Sequence, residues 1–327
     1  MSGAAGRLRR VVLLDTSVAS TNVGDQIIME AVRGALAPVL ERALVTSIAS
    51  HERLGPKGRA LIRAADLVIA GGSNLIGSHM WHAPVWRLVP RDAWLGMRVV
   101  LMGVGWYQFQ REPDPYTRWL LRRVLHPTAL HSVRDGYTAQ KLAGIGIRAA
   151  VNTGCPTLWG LSPDATARIP ERRGRAVVTT VNTYMPDRAA DRQMIEVLRA
   201  RYDTLYGWVQ TAEDHAYLSE LAPEATLVPP SVAAFDALLA ANPGLDYVGN
   251  RLHGGIRAMQ HGRRALIVEI DNRATEMGRD FGLPTVPRGD AGALAGRIDG
   301  AFATRLRLPN EAIGRWKTAL ASLLWPS

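Results

Sequence analysis

LDYVGNRLHGGIRAMQHGRRALIVEIDNR, residues 245 to 273, sets two short apolar runs on either side of one helical stretch. Leu245 to Val248 reads as a buried strand, Gly249-Asn250 turns the chain, and a helix starts near Leu252 or His253 and ends by Gly262. A second strand over Ala265 to Ile270 runs into Asp271-Asn272-Arg273. Strand, helix, strand is the repeating unit of an open α/β sheet. Its ligands bind outside the carboxyl ends of the strands, where helix N-termini point N–H groups at anions. Arg251 and His253 fall on one such junction, and Asp271 and Arg273 on the next along the same edge. An arginine and a histidine there suggest an anionic, protonatable substrate. A plainer use is also open: Arg251 can pair with a sheet-edge carboxylate, and His253 can be a surface residue at a helix start.

The same rhythm runs through the chain. In the first half, strands fit Arg10 to Leu14, Ala43 to Ile48, Leu67 to Ala70, Arg98 to Met102, Ala129 to Val133 and Ile147 to Val151, with helices between them. Residues 163–174, PDATARIPERRG, are polar and rich in Pro and Arg, and read as a linker. The pattern then restarts with strands over Ala176 to Val181, Thr204 to Val209 and Thr226 to Val228, ahead of the stretch quoted above. Ala291 to Ala303 and Asn310 to Leu324 look like two further amphipathic helices. The expected architecture is α/β, two Rossmann-like domains with a central cleft: residues 1–162, a linker over 163–174, and residues 175–327 including the terminal helices.

Length and composition agree with this. A chain of 327 residues can bury a core without disulfides or structural metals. Its one cysteine, Cys155, can form no internal bridge, so a reducing, cytoplasmic setting is expected. Residues 1 to 15 hold too few apolar side chains for a signal or a span and read as a ragged lead into the first strand. The formal charge of +10 comes almost wholly from arginine, since lysine occurs only at 57, 141 and 317. Those arginines are scattered, without a basic helix or aromatic platform, which argues against nucleic acid. They leave room for peripheral contact with the inner membrane face, although no anchor is visible.

Each strand exit carries candidate ligand-binding residues. The first loop, Asp15 to Asp25, is built of small residues that let a ligand approach the backbone, and Asn22 or Asp25 can cap the following helix. It lacks GxGxxG and GxxxxGK[ST], which removes the main support for a dinucleotide or P-loop reading. Gly71-Gly72-Ser73-Asn74, Gly103-Val104-Gly105 and Ser132-Val133-Arg134-Asp135 follow later strands. Arg134 can face a ligand or pair with Asp135. His79, His82 and the tryptophans at 81, 86 and 94 form a stretch suited to a lid or a sugar platform, or simply to packing. No GxSxG elbow and no HExxH spacing occurs, so neither a serine hydrolase nor a catalytic metal is expected.

Asn22-x-Gly24-Asp25, Gly71-Gly72-Ser73, Gly103-x-Gly105, Val133-Arg134-Asp135, Glu213-Asp214 and Arg251-Leu252-His253 occur in this order. From about residue 11 to residue 286 the sequence resembles the polysaccharide pyruvyl transferase family. The resemblance implies a GT-B-like fold, no cofactor, and phosphoenolpyruvate as co-substrate. Pyruvate would be transferred to a sugar acceptor, lipid- or nucleotide-linked or polymeric, as a cyclic ketal. It also implies that Arg134, Arg251 and His253 contact the phosphate and carboxylate of the donor, with Arg251 and His253 catalytic. Asn22, Gly24, Asp25, Gly71, Gly72, Ser73 and Arg273 would help bind it. Two positions depart from the family: Ser73 stands where a third glycine is frequent, and Arg273 where a lysine is common, a guanidinium fork in place of a point charge. A nucleotide-sugar glycosyltransferase and a non-catalytic glycan- or phosphate-binding protein are the alternatives that the same architecture accommodates.

Overall fold

A computed structural model describes residues 7–82 and 85–326. Residues 1–6, the start of the expected ragged lead, and 83–84 within the tryptophan-rich stretch lie outside the described residues. In chain order the elements are β1 (Arg9–Asp15), α1 (Gly24–Leu40), β2 (Ala43–Ala49), α2 (Pro56–Ala64), β3 (Leu67–Gly71), β4 (Val99–Met102), α3 (Pro115–Val124), β5 (His131–Val133), α4 (Gly136–Gly144) and β6 (Ala150–Asn152). There follow α5 (Pro163–Ala167), β7 (Ala176–Thr179), α6 (Arg188–Arg199), β8 (Thr204–Trp208), α7 (Ala212–Leu221), β9 (Thr226–Val228), α8 (Val232–Ala241) and β10 (Leu245–Gly249). The chain ends through α9 (Leu252–Gln260), β11 (Ala265–Glu269), α10 (Asn272–Phe281), β12 (Thr285–Pro287), α11 (Ala291–Asp299) and α12 (Asn310–Leu324).

These elements form an α/β protein with two parallel sheets, divided between two compact units. The first comprises residues up to 20, 28–156 and 309 onward; the second comprises 21–27 and 157–308. In the first unit the sheet order is β2-β1-β3-β4, all parallel. A bridge from Val104 to Val133 leads on to the parallel pair β5-β6. In the second unit the order is β12-β11-β10-β7-β8-β9, again parallel throughout. Each order reverses once, between β1 and β3 in the first unit and between β10 and β7 in the second. The carboxyl ends at such a reversal are where an open α/β sheet leaves a crevice for ligands.

Both sheets are covered on two faces, which is why their central strands are apolar without alternation. Val11, Val12, Leu13 and Leu14 of β1 are all buried, and Val12 and Leu14 share a core with Leu120, Leu121 and Val124 of α3. In the second unit Val177, Val248 and Leu266 meet Ile195, Leu198 and Leu218 from α6 and α7. Among the described residues no helix is long and apolar enough to cross a membrane.

The structure departs from the sequence expectation at residues 21–27, which count with the second unit, and at three further places. The segment expected as linker opens with a helix, α5, because Ser162 accepts from Ala165 N and Pro163 takes the first helical position, where its missing N–H costs nothing. Helix α12 counts with the first unit: it packs on β5 and β6, and Trp325 Nε1 donates to Val39 O at 3.0 Å. Strand β12 is additional, too short to show a period.

Candidate functional site

In the second unit β7 and β10 flank the reversal of strand order, and the turn beyond β10 is locked to the chain beyond β7. Asn250 N donates to Thr180 O at 3.1 Å, and Arg251 N to Thr180 Oγ1 at 3.1 Å. Tyr247 OH donates to Arg251 O at 2.6 Å. Arg251 thereby becomes the residue before helix α9, with an extended backbone (φ −91°, ψ 99°), and its side chain turns back over the sheet edge. Its Nε donates to Val181 O at 3.1 Å and its Nη2 to Asp214 Oδ2, leaving Nη1 unengaged among the described residues. Arg251 is 7% exposed and Asp214 fully buried. Asp214 sits in the first turn of α7, where the helix dipole favours a carboxylate, and its other oxygen accepts from Thr183 N and Oγ1, both at 3.1 Å.

Arg251 does pair with a carboxylate, so that part of the plainer reading holds. The other part does not. His253 is buried in the first turn of α9, two residues beyond Arg251, rather than on the surface. Glu213 and His215, by contrast, are exposed.

The exit of β11 adds a second arginine. Asp271 caps α10 by accepting from Arg273 N at 2.9 Å, and it also accepts from Arg273 Nε at 2.9 Å and Nη2 at 2.5 Å. Tyr184 OH donates to Asp271 Oδ2 at 3.1 Å and accepts from Arg273 Nη2. The Tyr184 ring lies under both guanidiniums, 5.3 Å from Arg251 Cζ and 5.7 Å from Arg273 Cζ, within cation–π range. Burial pushes the Tyr184 hydroxyl up to about 12; Asp271 adds to the shift, and Arg273 and Arg251 oppose it. Burial works against the Arg273 charge, but Asp271, Tyr184 and then Asp25 outweigh it, so its proton is held more tightly than in free arginine. Asp271 is thus engaged in holding Arg273.

Residues 21–27 count with this second unit. Asn22 Oδ1 accepts from Gly24 N at 3.1 Å, the capping role its residue type suggested. Val23 N donates to Gln210 O at 3.0 Å, and a Cβ on Gly24 would lie 2.6 Å from Gln210 Oε1, so only glycine fits without a shift. Asp25 is nearly buried in the first turn of α1.

Three carboxamides beyond neighbouring strands did not stand out in the sequence. Asn182 Nδ2, Gln210 Nε2 and Asn250 Oδ1, beyond β7, β8 and β10, are buried with no hydrogen-bond partner among the described residues. Each such group costs about 1–3 kcal/mol if nothing satisfies it. The signal available was positional: each follows its strand at the same edge as Arg251, but Asn and Gln there read equally as turn and cap residues. Asn250 Nδ2 is held by Asp191 at 3.3 Å, and Asp191 is itself paired with Arg288 at 2.8 Å and accepts from Tyr217 OH at 2.8 Å.

The first unit gathers its own cluster. Arg134, 1% exposed, follows β5 and places Nη2 2.5 Å from Asn74 Oδ1 and 3.3 Å from Asp135 Oδ2. Its Nε and Nη1 are buried without a partner among the described residues. A Cβ at Gly105 would lie 2.1 Å from Arg134 Nη2, so the guanidinium rests directly on that glycine's backbone. Asp135 caps α4, accepting from Thr138 N at 2.7 Å and Thr138 Oγ1 at 2.6 Å. Gly71, Gly72 and Ser73 form the neighbouring exit of β3, and Ser73 O accepts from Gly105 N at 2.8 Å. Ser73 has φ +61°, a left-handed conformation that favours glycine. Arg134, Gly71, Gly72 and Ser73 therefore come together in one unit, and Arg251, His253, Arg273, Asn22, Gly24 and Asp25 belong to the other.

In the tryptophan stretch Trp86 is buried packing, whereas His79, Trp81, His82 and Trp94 are exposed. His79 Nδ1 lies 3.3 Å from Asp114.

A family model described as polysaccharide pyruvyl transferase matches residues 22–272. No curated protein sequence matches the chain. Among solved structures, a UDP-GlcNAc 2-epimerase from Neisseria meningitidis bound to UDP-GlcNAc aligns at 10% identity with a TM-score of 0.46, over 97% of this chain and 99% of that one. The wall teichoic acid polymerase TagF aligns at 8% identity with a TM-score of 0.46, over 96% and 82%. The lipopolysaccharide outer core galactosyltransferase WaaB aligns at 10% identity with a TM-score of 0.45, over 97% and 94%.

Proposed function

Because this chain belongs to the polysaccharide pyruvyl transferase family, we propose that it moves pyruvate from phosphoenolpyruvate to two sugar hydroxyls of a glycan or glycan precursor, closing a ketal and releasing phosphate. The observation that carries the proposal is the pair Arg251 and His253, both buried at the strand-order reversal of the second unit. Phosphoenolpyruvate presents a phosphate and a carboxylate. A guanidinium oriented by Asp214 and Val181 O can donate its remaining N–H groups to one of them, at about 1.5–3 kcal/mol per charge-assisted bond.

His253 is the proton donor in this reading. It delivers a proton to the methylene carbon of the donor; the double bond's electron pair forms the new C–H bond and leaves an oxocarbenium-like centre at C2. An acceptor hydroxyl attacks that centre and loses its proton. Phosphate then departs with the C–O electron pair, and the second hydroxyl closes the ring. Diol plus phosphoenolpyruvate gives ketal plus phosphate, with no oxidant or reductant. General acid catalysis of this kind contributes about 10²–10⁴ in rate.

Asn22, Gly24, Asp25 and Arg273 complete the donor-binding set of the second unit, and the unpartnered carboxamides of Asn182, Gln210 and Asn250 are further candidates for polar contact. In the first unit Arg134, with Gly71, Gly72 and Ser73, is proposed as an anion-facing cluster, supported by its two unpartnered nitrogens. The lone, buried Cys155 fits a reducing, cytoplasmic setting. The test is to incubate the protein with labelled phosphoenolpyruvate and a glycan extract. Acceptor-dependent release of phosphate with label entering the glycan supports the proposal; release of nucleotide from a nucleotide-sugar panel with no use of phosphoenolpyruvate overturns it.

A further inference from the structure

In the first unit the segments beyond β2, β3 and β4 line a half-open cavity of about 320 Å³, whose walls include Arg53, Trp81, Arg87, Leu88, Pro90 and Tyr116. It is large enough for one pyranose ring and a phosphate. Trp81 is 57% exposed and meets Tyr116 edge-on, with ring centroids 5.0 Å apart and planes at 78°. Tyr116 leans on Trp119, and Trp119 on Trp94, so further rings support the indole from behind. The backbone on both sides is pinned. Met80 N donates to Thr117 Oγ1 at 3.0 Å, and Asp114 N to Ser78 O at 3.0 Å. On the opposite wall Val89 N donates to Asp92 at 3.0 Å, and Arg59 Nε fixes that buried carboxylate at 2.9 Å.

Two arginines of this cavity are unpaired among the described residues. Arg59, behind the opposite wall, is matched by Asp92, and Arg33, elsewhere in the unit, by Asp15. Arg53 and Arg87 have no hydrogen bond or ion pair with any described residue, and no carboxylate is among the described residues that line the cavity. An exposed, braced indole suits the apolar face of a sugar ring. Two free guanidiniums are needed by no neutral sugar, whereas they match a phosphate in charge and in hydrogen-bond geometry.

We propose that this cavity is a subsite for a phosphate-bearing saccharide: Trp81 receives the ring and Arg53 and Arg87 hold the phosphate. The ligand is a sugar 1-phosphate unit, free, nucleotide-linked or lipid-linked, rather than a neutral sugar; that it is a sugar at all fits the pyruvyl transfer reading, on which its use in the reaction rests.

Calorimetry on the full chain tests it with a panel of hexose and N-acetylhexosamine 1-phosphates, their methyl glycosides and inorganic phosphate. Binding of phosphoenolpyruvate is measured in parallel. At least one sugar phosphate should bind about tenfold or more tightly than both its methyl glycoside and inorganic phosphate. That preference should disappear in Arg53→Gln/Arg87→Gln, and Trp81→Ala should weaken the same ligand. Competition by a nucleoside diphosphate sugar or by a polyprenyl diphosphate sugar identifies the source. Inorganic phosphate binding as well as every sugar phosphate would mean an adventitious ion only, and would overturn the proposal, as would an unchanged affinity in the double variant. Donor binding that persists through such a failure leaves the pyruvyl transfer reading standing. Loss of donor binding in the unaltered protein, with sugar phosphate still bound, removes that reading and leaves the subsite.

Discussion

Arg134 and Arg251 hold corresponding places in two different units, each just beyond a parallel strand and at the start of a helix, yet they are held by opposite means. Arg251 is oriented by charge: Asp214, fully buried in the first turn of α7, takes Nη2, and Val181 O takes Nε. Arg134 is oriented by shape and a neutral amide. Its guanidinium lies on the backbone of Gly105 and against Asn74, the Asp135 contact is a long 3.3 Å, and Nε and Nη1 are left without partners. A buried ion pair is sensitive to loss of either member, because the survivor becomes an uncompensated charge. A guanidinium with free donors has less to lose and more to offer an incoming anion. The contrast separates what each arginine does for stability from what it does for a ligand.

The largest effect follows from Asp214→Ala, which strands Arg251 as a buried cation and should cost about 3–5 kcal/mol in chemical denaturation. A loss below about 1 kcal/mol would mean that the pair does not organise the site. Next comes Arg251→Lys. It retains the charge beside Asp214 but loses the fork, and should weaken phosphoenolpyruvate binding about ten- to a hundredfold in calorimetry with the fold intact. Unchanged affinity would move Arg251 out of the donor site. Arg134→Met, similar in shape and without the orphaned donors, should cost less than about 2 kcal/mol, well short of Asp214→Ala. Equal costs for the two variants would erase the comparison.

A pH measurement sharpens the first-unit side. His131 lies three residues before Arg134, buried, with Nδ1 accepting from Leu101 N at 3.3 Å and Nε2 3.0 Å from His126 O. Burial lowers it from 6.5 to about 4, against the hydrogen bond to His126 O. Since the folded value is the lower one, the unfolded chain binds the extra proton. The stability it contributes is present above about 6.5 and is lost as pH falls through about 4. His131→Gln keeps a donor and an acceptor and should flatten this acid limb; an unaltered limb would show that another group produces it. The smallest effect is expected for Ser73→Gly, which relieves the positive φ at the price of a more flexible unfolded chain and should change stability by under about 1 kcal/mol.

Most of the fold was legible because β1, β3 and β10 are short, largely apolar and end in turn-forming Asp, Gly and Asn residues, so period and punctuation agree. Strand β12 was not legible, since three residues ending in proline at a sheet edge carry no period. The return of α12 to the first unit was hidden for another reason: the hydrogen bond of Trp325 reaches Val39, 286 positions away in the chain. At the site, Arg251 and His253 were legible from their place at a strand exit. The partnership with Asp214 was not, because it depends on which helix start the sheet order brings alongside. Asn182, Gln210 and Asn250 were missed because a carboxamide after a strand is an ordinary turn residue until its burial is known. Conversely, Ser73 stands where a third glycine is frequent, and its φ of +61° shows that the backbone still favours glycine there.

The central claim is that His253 supplies the proton to the donor's methylene carbon, and the most direct test is the steady-state rate of phosphate release from phosphoenolpyruvate by His253→Gln. Glutamine keeps a hydrogen-bond donor but delivers no proton readily. The expected result is a fall in kcat of about 10² or more with only a modest change in donor affinity. A variant that binds the donor far more weakly yet turns over normally at saturation would contradict it, making His253 a binding residue and placing the acid elsewhere.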